Sequence, residues 1–236
     1  IVEKKTQENL IFPRYHQLDL IKNFKNQIPV DDIGTNYLVQ HTTGSGKSYS
    51  IGWLAHLLTS LYKDKDSDER MFSSIIVVTD RKVLDKQLQN TITSLQQVKG
   101  VVNNVEKGSK QLKEFLEQGK DIIVTTIQKF PYIISNINEL DQKSFAVIID
   151  EVHSSQSGEL ATAMKSALNI DISENEDEID LEEMLNKQIN IKGKQNHISY
   201  FGFTGTPKEA TLEVFGTKNQ DGGFEPFHTY SMKQSI

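Results

Sequence analysis

No cysteine occurs among the 236 residues, which excludes a disulfide scaffold, thiolate-ligated zinc and thiol catalysis, and fits a reducing cytoplasm. No window of about 18 uninterrupted apolar residues exists, so no segment reads as a membrane span. The first residues, IVEKKTQENL, are charged and lead into neither an apolar run nor a small-residue cleavage site, so no signal peptide is expected. The six histidines (His16, His41, His56, His153, His197 and His228) show no pair at i, i+3 or i+4, which argues against a histidine metal site. A Ser/His/Asp arrangement of distinctive spacing is also missing, so hydrolysis through a nucleophilic side chain has no support.

Basic residues are in a minority, 26 against 32 acids, for a net charge of -6. Eight of the acids fall within residues 171–183 (DISENEDEIDLEE), where there is no Lys or Arg. The rest of the chain therefore carries 26 bases against 24 acids. One short segment sets the global sign, which leaves a polyanionic partner open. Residues 171–195 hold few large apolar side chains and are expected to form an acidic, mobile insertion; a solvated helix face around Ile179 to Leu185 is the alternative.

The length suits one large domain or one and a half. Five runs rich in Val, Ile, Tyr and Phe read as buried strands: Tyr37 to Gln40, Ile75 to Thr79, Ile122 to Thr126, Ala146 to Ile149 and Tyr200 to Phe203. Val98 to Asn103 is a weaker sixth. Amphipathic stretches of helix length, Ser48 to Tyr62, Lys82 to Leu95 and Lys110 to Gln118, separate the first four. Strands alternating with helices predict an α/β fold with a parallel sheet and right-handed crossovers. The composition gives no ending signal at Ile236, and a piece of a longer polypeptide is expected.

The first strand runs into His41-Thr42-Thr43-Gly44-Ser45-Gly46-Lys47-Ser48 and then directly into a helix. Two glycines allow successive N–H groups to turn inward around a phosphate, and the helix N-terminus adds partial positive charge. Lys47 would reach the β- and γ-phosphates of a nucleotide, and the Ser48 hydroxyl would ligate Mg²⁺. The general pattern has Gly where this chain has His41. The fourth strand ends in Asp150-Glu151-Val152-His153, placing two carboxylates at the sheet edge where open α/β folds bind ligands. Asp150 is the expected metal-side residue, and Glu151 the one that activates water.

Thr204-Gly205-Thr206-Pro207 follows the last strand and reads either as a nucleotide-sensing turn or as a simple turn closed by proline. Thr79-Asp80-Arg81-Lys82 and Thr125-Thr126-Ile127-Gln128-Lys129 end two further strands. Such hydroxyl, amide and basic groups suit phosphate-backbone contacts, although each alone reads as well as a capped, solvated helix start. Gln17, in Arg14-Tyr15-His16-Gln17, offers a carboxamide that both donates and accepts, as an adenine edge requires.

In order, RYHQ, HTTGSGKS, VVTDRKVLDKQ, TTIQKF, IIDEVHSSQSG and FGFTGTP resemble the first RecA-like motor domain of superfamily 2 helicases, and within them the restriction (R) subunit of type I restriction-modification enzymes. The resemblance runs from about Phe12 to Met232. It implies a RecA-like P-loop NTPase domain over residues 1–236, a parallel sheet flanked by helices, that binds ATP and Mg²⁺. It implies ATP-driven translocation on duplex DNA, with cleavage by a separate nuclease domain. A second RecA-like domain and that nuclease domain would belong to the same subunit, and modification and specificity subunits would complete the complex. Gln17, with Arg14 beside it, then corresponds to the adenine-contacting glutamine. Thr43 to Ser48 form the phosphate loop, and Asp150 and Glu151 the metal and water pair. The resemblance likewise implies coupling roles for His153, Thr204 and Thr206, and DNA-tracking roles for Arg81, Thr126 and Lys129. An RNA-directed DExH helicase and a non-hydrolysing ATP-dependent switch are the alternatives.

Overall fold

The computed structural model describes residues 11–64, 66–79, 82–96, 98–129, 137, 140, 142–150, 197–219 and 221–234. Arg81, Glu151, His153 and the acidic segment 171–195 lie outside them. Helix α1 (Tyr15–Gln27) precedes strand β1 (Tyr37–His41), α2 (Lys47–Thr59), β2 (Ser74–Thr79) and α3 (Lys82–Ser94). Then come β3 (Val102–Asn104), α4 (Ser109–Glu117), β4 (Ile122–Thr126), a 3₁₀ turn (Ile127–Lys129), β5 (Phe145–Asp150) and β6 (Ile198–Thr204). A short helix α5 (Glu209–Phe215), a two-residue ribbon of β7 (Thr217–Lys218) with β8 (Phe224–Glu225), β9 (His228–Tyr230) and a second 3₁₀ turn (Met232–Gln234) complete the described elements.

Seven strands form one sheet in the order β3-β4-β2-β5-β6-β1-β9, and every pairing in it is parallel. The five apolar runs become β1, β2, β4, β5 and β6, each within two residues of its expected bounds. The weaker run yields only the three-residue β3. Among the described residues that short strand sits at the sheet's edge, where one side lacks a ladder partner.

Side-chain alternation divides the core into two layers. On one face Tyr37, Val39, Ile75, Val77, Phe201 and Phe203 pack with Leu20 and Phe24 of α1, Ile51, Leu54 and Leu58 of α2, and Leu88 and Ile92 of α3. On the other, Leu38, Ile76, Val78, Val147 and Tyr200 meet Leu112 and Leu116 of α4 and Val214 and Phe215 of α5. Burial on both faces explains why these strands read as unbroken apolar runs. Each fully buried large side chain contributes about 1.5–3 kcal/mol. Phe201 illustrates the density: its ring stacks on Tyr37 with centroids 5.1 Å apart and meets Phe24 edge-on at 5.5 Å.

Because every strand of this sheet is parallel, Thr79, Thr126, Asp150, Thr204 and His41 all lie at its C-terminal edge. Among the described residues no helix is long and apolar enough to cross a membrane.

Candidate nucleotide-binding site

Strand β1 ends at His41, and the chain turns through residues 42–46 into α2. Gly44 and Gly46 hold φ at +80° and +84°, the left-handed region where a side chain is strained. Ser45 N–H donates to the Thr42 carbonyl at 3.2 Å, and Tyr49 N–H to the Gly46 carbonyl at 3.0 Å. A helix cannot satisfy its first N–H groups internally, and its dipole favours an anion at this end of α2. Lys47 Nζ donates to the His41 carbonyl at 3.3 Å. The loop thus combines a helix N-terminus with one ammonium, the kind of donor set that phosphate oxygens require.

Both flanks of the loop are braced. From α1, the Gln17 side chain donates through Nε2 to the Gly46 carbonyl at 3.0 Å, while its Oε1 accepts from Arg14 N–H at 2.8 Å. A carbonyl partner on one side and an N–H on the other fix which atom is which. A Cβ placed on Gly46 would come within 2.7 Å of Gln17 Nε2, so the glycine admits the side chain as well as the backbone conformation. Gln17 is buried, and Arg14, at the helix N-cap, is exposed. The residue expected to read adenine therefore also cross-links α1 to the loop, with one N–H and one lone pair of its carboxamide still uncommitted to these two bonds. His16 makes the parallel contact: Nε2 donates to the Ser45 carbonyl at 2.9 Å. From the other side, Thr42 N–H donates to the Tyr230 carbonyl of β9 at 3.0 Å.

Sequence spacing gave no sign of the cluster beneath the loop. His16 stacks flat on Tyr230, with centroids 3.7 Å apart and planes inclined by 6°, and stands edge-on to His41 at 5.5 Å. His41 Nε2 lies 2.9 Å from His228 Nδ1, and His228 Nε2 lies 3.2 Å from Asp19 Oδ2. Burial, followed by the neighbouring His228, His16 and Lys47, pushes the His41 imidazole down to about 3. His16 is also lowered, burial again leading. Both rings are neutral near pH 7. Local spacing does not reveal this pair, because His41 and His228 are 187 positions apart.

The remaining expected residues are brought to the same edge at different distances. Phe203 pairs with Asp150 and Thr204 with Gln40, so β6 separates Asp150 from the phosphate-loop strand. Two strand spacings, about 9.6 Å, lie between β5 and β1. Ser48 and Asp150 are half-buried. The turn after β6 lies against the loop: a Cβ on Gly205 would be 3.7 Å from both the His41 carbonyl and Thr43 Oγ1. Thr204 is buried and its Oγ1 accepts from Thr206 N–H at 3.2 Å, while Thr206 is exposed. Thr126 and Lys129 are four strand spacings from β1, about 19 Å, outside reach of the phosphate loop. Lys129 Nζ donates to the Val105 carbonyl at 2.7 Å. A cavity of about 480 Å³ lined by Gln27, Asp31, Tyr37 and Phe227 opens at the other end of β1 and takes no part in the site.

The sequence profile of SWI2/SNF2 ATPases matches residues 16–173, which contain the phosphate loop, Gln17 and Asp150. The chain belongs to the SWI2/SNF2 ATPase family. It is 27% identical over 241 residues to the type I restriction enzyme SsaAORF53P endonuclease subunit of Staphylococcus saprophyticus, covering 100% of this chain and 22% of that protein. It is 30% identical over 191 residues to the type I restriction enzyme HindI endonuclease subunit of Haemophilus influenzae, covering 75% of this chain and 16% of that protein. The chain thus spans about a fifth of the length of these relatives. Among solved structures, a nuclease-deletion mutant of the Type ISP restriction-modification enzyme LlaGI, in complex with a DNA substrate mimic, superposes with a TM-score of 0.58 at 14% identity. That match covers 95% of this chain and 20% of the other. It establishes the RecA-like fold, and the relatives bear out the likeness to type I restriction endonuclease subunits read from the order of the motifs.

Proposed function

We propose that this SWI2/SNF2 ATPase domain is the first of two RecA-like motor domains of a type I restriction endonuclease subunit, residues 1–236 forming one unit of it. It binds and hydrolyses Mg-ATP and uses the energy to translocate duplex DNA. The observation that supports this most is the phosphate loop, held from both flanks and placed two strands from Asp150. Lys47 and the N–H groups of Thr43 to Ser48 would bind the phosphates, and Gln17, with Arg14, the base. Ser48 and Asp150 would hold Mg²⁺, which supplies charge neutralisation to the phosphates when bound. Glu151, next in the chain to Asp150, would orient the attacking water.

Thr204 and Thr206, beside the loop, together with His153, would relay the state of the nucleotide. Arg81, Thr126 and Lys129 would meet the DNA backbone some distance along the same edge. A second RecA-like domain and a nuclease domain of the same subunit, with modification and specificity subunits, would complete a cytoplasmic restriction complex. The test is phosphate release by the full-length subunit in its complex, measured without nucleic acid, with long linear duplex DNA and with single-stranded RNA. Stimulation by the duplex alone is expected. Stimulation by RNA alone would favour an RNA helicase, and binding of ATP without turnover would favour a switch.

A further inference from the structure

The Asp19, His228 and His41 side chains form a directed chain of hydrogen bonds whose polarity follows from one end. Asp19 is a carboxylate and only accepts, so the proton on the facing nitrogen belongs to His228 Nε2, 3.2 Å away. When His228 carries that proton alone, its Nδ1 is bare and accepts from His41 Nε2–H at 2.9 Å. His41 is left with a bare Nδ1, buried and without a hydrogen-bond partner among the described residues. One exposed carboxylate on α1 therefore sets the tautomer of a fully buried ring at the base of the phosphate loop.

The ring's surroundings connect that choice to the loop. The backbone carbonyl of His41 receives Lys47 Nζ at 3.3 Å, so the residue that carries the ring also anchors the ammonium expected to meet a phosphate. The next residue, Thr42, is tied to Tyr230 of the strand that carries His228. His16, which holds the Ser45 carbonyl, stacks on that same Tyr230. The braces from α1 and from β9 thus meet on the His41 ring.

Resting on the nucleotide-binding reading above, we infer that His228, oriented by Asp19, is a positioning residue for the phosphate loop: it holds His41, and through it the starting position of Lys47, in the arrangement that receives nucleotide phosphates. Without an acceptor at His228 Nδ1, the His41 N–H is buried and unsatisfied, and the ring is driven to turn and displace the loop.

The experiment measures Mg-ATP dissociation constants for the full-length protein and for His228→Leu, His228→Asn, Asp19→Ala and Lys47→Ala, with unfolding midpoints for each. His228→Leu removes the acceptor and should weaken binding about tenfold. His228→Asn restores an oxygen at the Nδ1 position and should return affinity to within about twofold of the parent, which a general packing role would not do. Asp19→Ala, an exposed change that keeps the fold, should cost about two- to threefold. It carries the test if His228→Leu fails to fold. Ring ¹⁵N resonances should show His41 protonated at Nε2 in the parent and a mixture of tautomers in Asp19→Ala. Parental affinity in folded His228→Leu, or no effect of Asp19→Ala on affinity and tautomer, overturns the inference. If Lys47→Ala binds as tightly as the parent, the nucleotide reading itself falls and this inference with it.

Discussion

Alanine at position 46 is the sharpest mechanical probe of the brace between α1 and the phosphate loop. Gly46 has φ +84°, and a left-handed conformation costs a residue with a Cβ about 1–2 kcal/mol. The new Cβ would also sit 2.7 Å from Gln17 Nε2, closer than such contacts allow. Gln17 must withdraw, breaking its 3.0 Å bond to the Gly46 carbonyl and leaving a buried amide without that partner, for a further loss of about 1–3 kcal/mol. The sum, about 2–5 kcal/mol, is a sizeable part of the 5–15 kcal/mol typical of a folded domain.

Gly44 is the internal control. Its φ is +80°, but nothing lies within 4 Å of an added Cβ, so Gly44→Ala should show the conformational part alone. Denaturant unfolding of both variants should separate them by about 1–3 kcal/mol. The coupling is tested by combining Gly46→Ala with Gln17→Ala: once the side chain is gone, the clash is gone, and the double variant should be more stable than the sum of the single losses predicts. Equal losses at positions 44 and 46, together with strict additivity at 17 and 46, would refute the close approach.

Other consequences are direct. The folded-state pKa of His41 is depressed to about 3 from 6.5, with His228, His16 and Lys47 facing the ring, so the unfolded chain binds the extra proton between these values. Stability contributed by the neutral ring is therefore complete above about pH 6.5 and declines toward pH 3; about 2 kcal/mol should be lost by pH 5, with a shallower slope in His41→Asn. Phe201→Ala empties a site between Tyr37 and Phe24 and should destabilise the fold by about 3–5 kcal/mol in the same unfolding assay. Glu151→Gln in the full-length subunit should retain ATP binding and stop turnover, seen as bound nucleotide recovered unhydrolysed; parental turnover would remove Glu151 from the water-activating role.

The parts of the fold that sequence made legible are the strands whose residues face apolar surroundings on every side and the helices α2, α3 and α4, each within three residues of its expected bounds. β1, β2, β4, β5 and β6 are buried on both faces and announce themselves as runs such as Ile75 to Thr79, which lies within β2. Helix α1 was not anticipated because two of its buried positions are His16 and Gln17, polar residues whose burial is compensated by the loop carbonyls they hold. Strand β9 escaped because three residues, His228–Tyr230, carry no periodicity of their own and pair with β1, far away in the chain. For the site, a motif such as Gly44-Ser45-Gly46-Lys47 is legible since neighbours in sequence share one loop. The histidine cluster assembles α1, β1 and β9, and only the folded chain brings those together.

The central claim is that Thr43 to Ser48 form a phosphate site served by Lys47, and a calorimetric titration of Mg-ATP into the full-length protein and its Lys47→Ala variant tests it most directly. The parent should bind one nucleotide, and the variant should bind at least tenfold more weakly while unfolding at the parental midpoint. Equal affinity in the two proteins would contradict the claim, because the ammonium that rests on the His41 carbonyl would then have no phosphate to receive.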